Sequence, residues 1–429
     1  MNEEFLYYIW QNRLLLSSNL KLTSGQEIEI LNPGFRNYES GPDFFNARIR
    51  TDGIVWAGNV EIHVKASDWY KHHHTGDLSY DNIILHAVQI ADTEIFRIDG
   101  SPLPTLIMNG NYPPEYLNHY LDLIQGGTPF IPCSRALPVI HELQKSLWLD
   151  RVLAERLESR FKELATIYQQ CDKRWPNSFY RVLSKAFGFK VNSTPFEVLA
   201  KSVPYELLLR HRQVPEELES IFFGQAGLLP PTSGDPYAER LKRHYRFYKH
   251  KYHLSAMSPH IWKFGGLRPA NFPTIRISQF AMLHFGQDHL LDRVLSAIEP
   301  EELTEILDIS ASDYWYHHYR FGMTSTPYTK RLGKESVYNL IINAIVPFLF
   351  FYGKTQHLPI LCDKAVYWME HCPPENNRII RSWQDVGWYA SHAGDTQALL
   401  HLKKNYCDFK KCVNCGIGQQ LLNQSCKTS

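Results

Sequence analysis

The sequence predicts an α+β protein, with a mixed α/β sheet domain over residues 1–130 and a larger all-α domain over 131–429. Three observations carry this. Apolar residues alternate with period two through most of the first 110 residues, and from Pro138 the period becomes helical almost to the end. At 429 residues the chain also exceeds the ~250–300 at which one core stops growing.

The elements follow in order. A short helical pattern covers residues 3–16. Strands are expected at Gln26–Leu31, Asn46–Thr51, Asn59–Lys65, Asn82–Ile90, Glu94–Ile98 and Leu103–Met108. Asn32-Pro33-Gly34, Ser40-Gly41-Pro42, Asp52-Gly53 and Asp99-Gly100 supply the turns between them. A helix fits Pro114–Leu123, and Gln125–Pro132 then breaks regular structure as a linker. His141–Gln170 reads as one long amphipathic helix. Further helices fit Pro195–Lys201, Pro215–Phe223, Pro236–Tyr252, Ile275–Phe285, Leu290–Ile298, Glu301–Leu307, Lys334–Tyr352 and Gln397–Asn405. Several have proline in the first turn, where its missing N–H costs little.

Charge divides in the same place. Residues 1–130 hold 8 Lys+Arg against 16 Asp+Glu, and the remainder holds 37 against 28. A basic helical part suits a polyanion; an acidic sheet suits a divalent cation or docks on its basic partner. The N-terminus, MNEEFLYYIW, lacks a basic stretch leading into an apolar one, so no secretory signal is read. The run Leu340–Tyr352 is shorter than the ~20 residues of a membrane span and reads as a buried helix. The eight cysteines lack the spacing of a secreted disulfide framework. A cytoplasmic protein without membrane association is expected. There is no P-loop, G-x-G-x-x-G, H-E-x-x-H or G-x-S-x-G, so the corresponding nucleotide-binding, zincin and serine-hydrolase chemistries lack support.

The chemistry concentrates in residues 41–88. On a strand Asn59–Lys65, side chains alternate between faces, so Glu61, His63 and Lys65 share one face and Val60, Ile62 and Val64 the other. Pro42-Asp43 opens the preceding strand. This arrangement resembles the PD-(D/E)XK nuclease superfamily and its restriction-endonuclease-like fold. The resemblance implies Asp43 and Glu61 as ligands of Mg²⁺ or Mn²⁺, with a lysine two residues on helping to hold the attacking water. Here His63 occupies the lysine's position and Lys65 lies two residues further. A core helix expected after this strand is replaced by a His- and Gly-rich stretch, 66–81. With His72, His73, His74 and His86 close by, a transition-metal site sharing residues with the acidic pair is the alternative. A solvated strand face is the plain structural one.

Cys407, Cys412 and Cys415 form a C-x₄-C-x₂-C run that can hold zinc or an iron–sulfur cluster, structurally rather than catalytically. The fourth ligand is open between Cys426, Cys133 and a distant histidine; packed, reduced thiols are the other reading. Residues 238–254 interleave basic and aromatic side chains. Leu241, Tyr245, Tyr248 and Tyr252 have the spacing of a core stripe, leaving Lys242, Arg243, Arg246 and Lys249 to face nucleic acid. Arg268 and Arg276 read as local ties rather than phosphate ligands. FFGQAGL, 222–228, reads as a tight helix–helix corner.

The phrases GPDFFNARI, GNVEIHVKASDW, DNIILHAV, FGQAGLL, LRPANFPTIRISQ and YCDFKKCVNCGIG together resemble a family of bacterial proteins of unknown function and about this length. That resemblance implies a bacterial cytoplasmic protein and brings no activity with it. Two functions follow from the residues: a metal-dependent nuclease or phosphodiesterase, or a non-enzymatic nucleic-acid-binding or protein-interaction scaffold.

Overall fold

The computed structural model describes residues 3–16, 20–37, 40–231 and 234–425. Packing divides the chain into two units. The first comprises Met1–Trp148, Ser382–Trp388 and Leu400–Ser429; the second comprises Leu149–Arg381 and Tyr389–Leu399. The N-terminal unit thus also takes in residues 131–148 and the tail, beyond the sequence-based boundary at 130.

The first unit is built on β1 (Ile28–Asn32), β2 (Phe35–Arg36), β3 (Phe44–Thr51), β4 (Ile54–Lys65), β5 (Ile83–Ile90) and β6 (Thr105–Ile107). The sheet order is β1-β3-β4-β5-β6, with β2 also pairing β3. β3 runs antiparallel to β1 and β4, whereas β4, β5 and β6 are mutually parallel. Asp52 and Gly53 both take positive φ, the two-residue turn whose twist suits a hairpin, so β3 and β4 are joined directly. β4 therefore starts five residues before the expected strand. Glu94–Ile98 is no strand; only an isolated bridge pairs Phe96 with Pro102.

Two apolar clusters hold the sheet. The larger gathers Val60, Ile62, Leu85, Ala87 and Leu106 with Phe5, Leu6 and Trp10 of α1 (Glu3–Gln11). Val413 and Leu422 of the tail join it, and Tyr8 Oη donates to Asn423 Oδ1 at 2.9 Å. The smaller packs Trp69 of α2 (Asp68–Lys71) on Ala66, Ile83, Val88, Ile95 and Leu103. α3 (Pro114–Gln125) follows the last strand.

Thereafter the chain is helical: α4 (Glu142–Gln170), α5 (Trp175–Phe187), α6 (Phe189–Ser202), α7 (Tyr205–His211), α8 (Pro215–Gln225), α9 (Pro236–Lys251), α10 (Pro273–His284), α11 (Leu290–Ser296) and α12 (Pro300–Ile306). Then come α13 (Lys334–Leu340), α14 (Val346–Thr355), α15 (Pro359–His371), α16 (Arg378–Asp385), α17 (Ala393–Leu402) and α18 (Gly416–Ser425). A hairpin at 318–324 interrupts them. The apolar run at 340–352 is the expected buried helix, widened to a π-turn at Ile341–Ile345 just before Pro347. Lys334–Thr355 is long and apolar enough to cross a membrane, yet 72% of its most apolar window is buried inside the protein.

The corner at 222–228 packs as expected. A Cβ on Gly224 would lie 2.1 Å from the Tyr245 ring, so only glycine lets α8 and α9 approach there. The α9 stripe is likewise internal: Leu241, Tyr245 and Tyr248 are buried and Tyr252 half-buried. Arg276 is buried and donates to Asn271, Gln279 and Ser336, tying down the segment before α10.

Candidate metal centre

A β-bulge sets the register of the acidic pair. Asn46 takes φ +57°, and the β3–β4 pairing shifts between Phe44 and Ala47. Phe44 then opposes Val60, which brings Asp43, at the mouth of β3, beside Glu61. The two carboxylates are held reciprocally. Glu61 Oε2 accepts from the Asp43 backbone N–H at 3.0 Å, and Asp43 Oδ2 accepts from the Ile62 N–H at 2.9 Å. Each acid keeps its other oxygen for the site: Asp43 Oδ1 lies 3.5 Å from the Arg36 guanidinium, and Glu61 Oε1 lies 3.3 Å from His74 Nε2 and 3.6 Å from His63 Nε2.

This face is not solvated. Glu61 is 4% exposed and His63 1%. Burial pushes the Asp43 carboxyl up to about 7, with the Glu61 charge adding to the rise. Burial likewise raises Glu61 to about 8, against the stabilising Asp43 N–H, with Glu3 of α1 adding repulsion. A proton or a cation between two such carboxylates relieves their repulsion.

Imidazoles crowd the same spot. The parallel β4–β5 ladder sets His86 opposite Glu61, and His63 Nδ1 lies 2.8 Å from His86 Nε2. His63 Nε2 lies 3.1 Å from His72 Nδ1. His73 adopts φ +59°, which turns the triplet so that His72 and His74 reach the site while His73 is exposed. Trp69 packs edge-on against His74, and Tyr80 stacks on His74 at 3.9 Å. Among the described residues, His63, His72 and His74 place ligand atoms within 4.8 Å of one another. Burial and the neighbouring rings depress His63 to about 2, so it stays neutral, the form that ligates metal. His74 Nε2 is buried without a hydrogen-bond partner, aimed at Glu61 Oε1.

The sequence pattern thus brings together Asp43, Glu61 and His63. Lys65 does not join them; it is exposed, with its charge in range of Asp92. Glu3, Tyr7 and Arg36 were not anticipated. Arg36 lies over the Tyr7 ring at 3.3 Å and beside Asp43, and Tyr7 Oη is 3.3 Å from Glu3. Nothing local in sequence marks them, because α1 and β2 meet the site only through the fold.

The proposed nucleic-acid residues lie on α9. Arg243, Arg246 and Lys249 are exposed, whereas Lys242 is half-buried and bonded to Pro231 O and Glu239. Cys407, Cys412 and Cys415 are half-buried or buried in the tail, and Cys426 lies outside the described residues.

No curated protein and no solved structure matches the chain. The family model described as protein of unknown function (DUF2851) matches residues 3–378, which cover the sheet, Asp43, Glu61 and the clustered histidines, and most of the helical unit. The chain belongs to this family.

Proposed function

We propose that the protein is a cytoplasmic, metal-dependent phosphodiesterase acting on nucleic acid, with the site at Asp43 and Glu61. The observation that carries this reading is the acid pair itself. A buried carboxylate, Glu61, and a half-buried one, Asp43, each with one oxygen fixed by a backbone N–H and one turned to the site, sit against an imidazole cluster. Such a set is suited to hold a divalent cation. Asp43 and Glu61 supply hard oxygens, and His63 and His74 offer nitrogen beside Glu61. A mixed oxygen and nitrogen set favours Mn²⁺ or Zn²⁺ over Mg²⁺. The cation would lower the pKa of a bound water and offset charge developing on phosphate. His63 titrates too low for a general base at neutral pH, so it serves as ligand. His72, exposed at the rim, is the imidazole placed to meet water and substrate. The strand arrangement is compatible with the PD-(D/E)XK resemblance: Asp43 immediately precedes β3, Glu61 lies on the adjacent antiparallel β4, and β4 pairs with the parallel β5. The exposed arginines and lysine of α9 supply a phosphate-facing surface. A purely docking role for the acidic face fits poorly, since Glu61 is almost wholly buried.

The test is a cleavage assay on single- and double-stranded DNA and RNA with Mg²⁺, Mn²⁺ or Zn²⁺, and with EDTA. Cleavage with Mn²⁺ that EDTA abolishes supports the reading. No cleavage of any substrate with any metal refutes it.

A further inference from the structure

Two nitrogens bound to one tetrahedral zinc at ~2.0–2.1 Å stand ~3.3 Å apart. His63 Nε2 and His72 Nδ1 already lie 3.1 Å from each other. His63, His72 and His74 each place a nitrogen within 4.8 Å of the other two, so the three rings converge on one point. Glu61 Oε1 faces the same point, 3.3 Å from His74 Nε2 and 3.6 Å from His63 Nε2.

The fold holds these rings in place before any cation arrives. His63 is fixed by β4, and its Nδ1 is taken up by His86 Nε2 at 2.8 Å, which turns Nε2 toward the other rings. His72 and His74 come from the turn after α2. The His72 N–H donates to Asp68 O at 2.9 Å and the His74 N–H to Trp69 O at 3.2 Å. Trp69 Nε1 donates to Thr75 Oγ1 at 3.1 Å and closes the turn onto the helix. His74 is 9% exposed, and its Nε2 has no hydrogen-bond partner among the described residues. A buried polar atom without a partner is costly, and a cation at this point satisfies it. Asp43 lies outside the set: its Oδ1 is 3.5 Å from Arg36 and its Oδ2 accepts from the Ile62 N–H.

We infer that His63, His72 and His74 form a zinc site of their own, distinct from the cation proposed between Asp43 and Glu61, with the Glu61 carboxylate standing between the two and offsetting the charge of both. The three-imidazole site stands without the acid-pair reading; only the pairing of two cations rests on it. Three imidazole nitrogens favour zinc over Mg²⁺. Three protein ligands leave a fourth position open, the pattern of a catalytic rather than a structural zinc. His72 is exposed, which puts the site at the rim, and it is through the ion that His72 meets water. A second cation beside the first makes a centre of the two-metal type, which steadies both the attacking and the leaving oxygen of a phosphodiester.

The test binds Zn²⁺ and Co²⁺ to the whole chain after treatment with a chelator. Equilibrium dialysis should find two equivalents of Zn²⁺ on wild type and one on each of His72→Ala, His74→Ala and Asp43→Asn. The double variant His72→Ala with Asp43→Asn should hold none. Co²⁺ should give the visible absorption of a four-coordinate ion in wild type and in Asp43→Asn, and lose it in His72→Ala. Because His72 is exposed, its variant should keep the metal-free melting temperature of wild type, which separates lost ligation from lost folding. Zinc binding and a Co²⁺ spectrum unchanged in His72→Ala, or complete loss of zinc in Asp43→Asn, overturns the inference. Cleavage decides only the acid-pair reading: two equivalents bound in this pattern uphold the three-imidazole site even where no substrate is cleaved. A single equivalent that Asp43→Asn abolishes overturns it even where cleavage proceeds.

Discussion

Glu61 stands between two kinds of partner, a backbone N–H on one oxygen and two imidazoles on the other, and this makes the site sensitive to pH. Its carboxyl and that of Asp43 titrate higher in the fold than in the unfolded chain. Stability from such a group is complete below the unfolded pKa and is lost as pH rises through the folded one. His63 and His86 are depressed, to about 2 and about 3, chiefly by burial. Their contribution is present above the ordinary histidine value and is lost as pH falls through and below it. Between pH ~6.5 and ~8.5 only the acids change, so metal-free protein should melt at lower temperature as pH rises. Each tenfold difference in proton affinity between folded and unfolded chain is worth ~1.4 kcal/mol at most. Glu61→Gln should flatten that slope, and a slope unchanged in the variant would contradict the assignment. For the same reason Mn²⁺ should raise the melting temperature more at pH 8.5 than at pH 6, because at the lower pH it must displace protons. Period two alone placed Glu61 and His63 on one face with Val60 and Ile62 behind. It did not reveal that the polar face is buried too, since that burial comes from Trp69, Tyr80 and the His72–His74 loop. Nor could it reveal Glu3 or Arg36.

At the scale of elements, β4 and β5 decide whether the site forms. Gly58 lies where a Cβ would meet Ile84 Cγ2 at 2.4 Å and Asn82 O at 2.7 Å. That close approach coincides with the register shift that leaves Val60 paired with Leu85 and Glu61 with His86. Gly58→Ala should therefore cost ~1–3 kcal/mol of stability and weaken metal binding, although no ligand is touched. Denaturant unfolding and Mn²⁺ titration check the two effects; normal stability in the variant would mean that this approach is not tight. The strands with strong alternation or a turn signature were legible, as were the helices opened by proline. Glu94–Ile98 misled because only Ile95 is buried, against Trp69, while Phe96 and Ile98 are exposed on a loop. The bulge at Asn46 hid the first residues of β3. Helices α5 and α16 lay outside the helices expected from the sequence although both are amphipathic.

Over the whole molecule, the charge asymmetry seen in the sequence resolves into a buried acidic site in the sheet unit and an exposed basic face on α9 in the helical one. Replacing Arg243, Arg246 and Lys249 together by alanine should weaken binding to an oligonucleotide and lower its salt slope by roughly 0.9 for each phosphate no longer neutralised. Lys242→Ala should do much less, because that ammonium is already engaged by Pro231 O and Glu239. Fluorescence anisotropy across a salt series separates these outcomes, and equal effects would show that the face is not read as assigned. The change of pattern near residue 130 was legible, but the first unit runs on to Trp148 and takes back the tail, which was not, since Val413 and Leu422 join that core only through long-range packing. The most direct measurement of the central claim is the Mn²⁺-dependent cleavage rate of wild type beside Glu61→Gln and Asp43→Asn, with melting curves for all three. Wild type should cleave nucleic acid, and both variants should lose more than ~100-fold in rate while remaining folded, since each deletes a charged ligand and keeps its shape. Variants that stay folded and cleave as fast as wild type, or wild type that cleaves nothing with any metal, would contradict it.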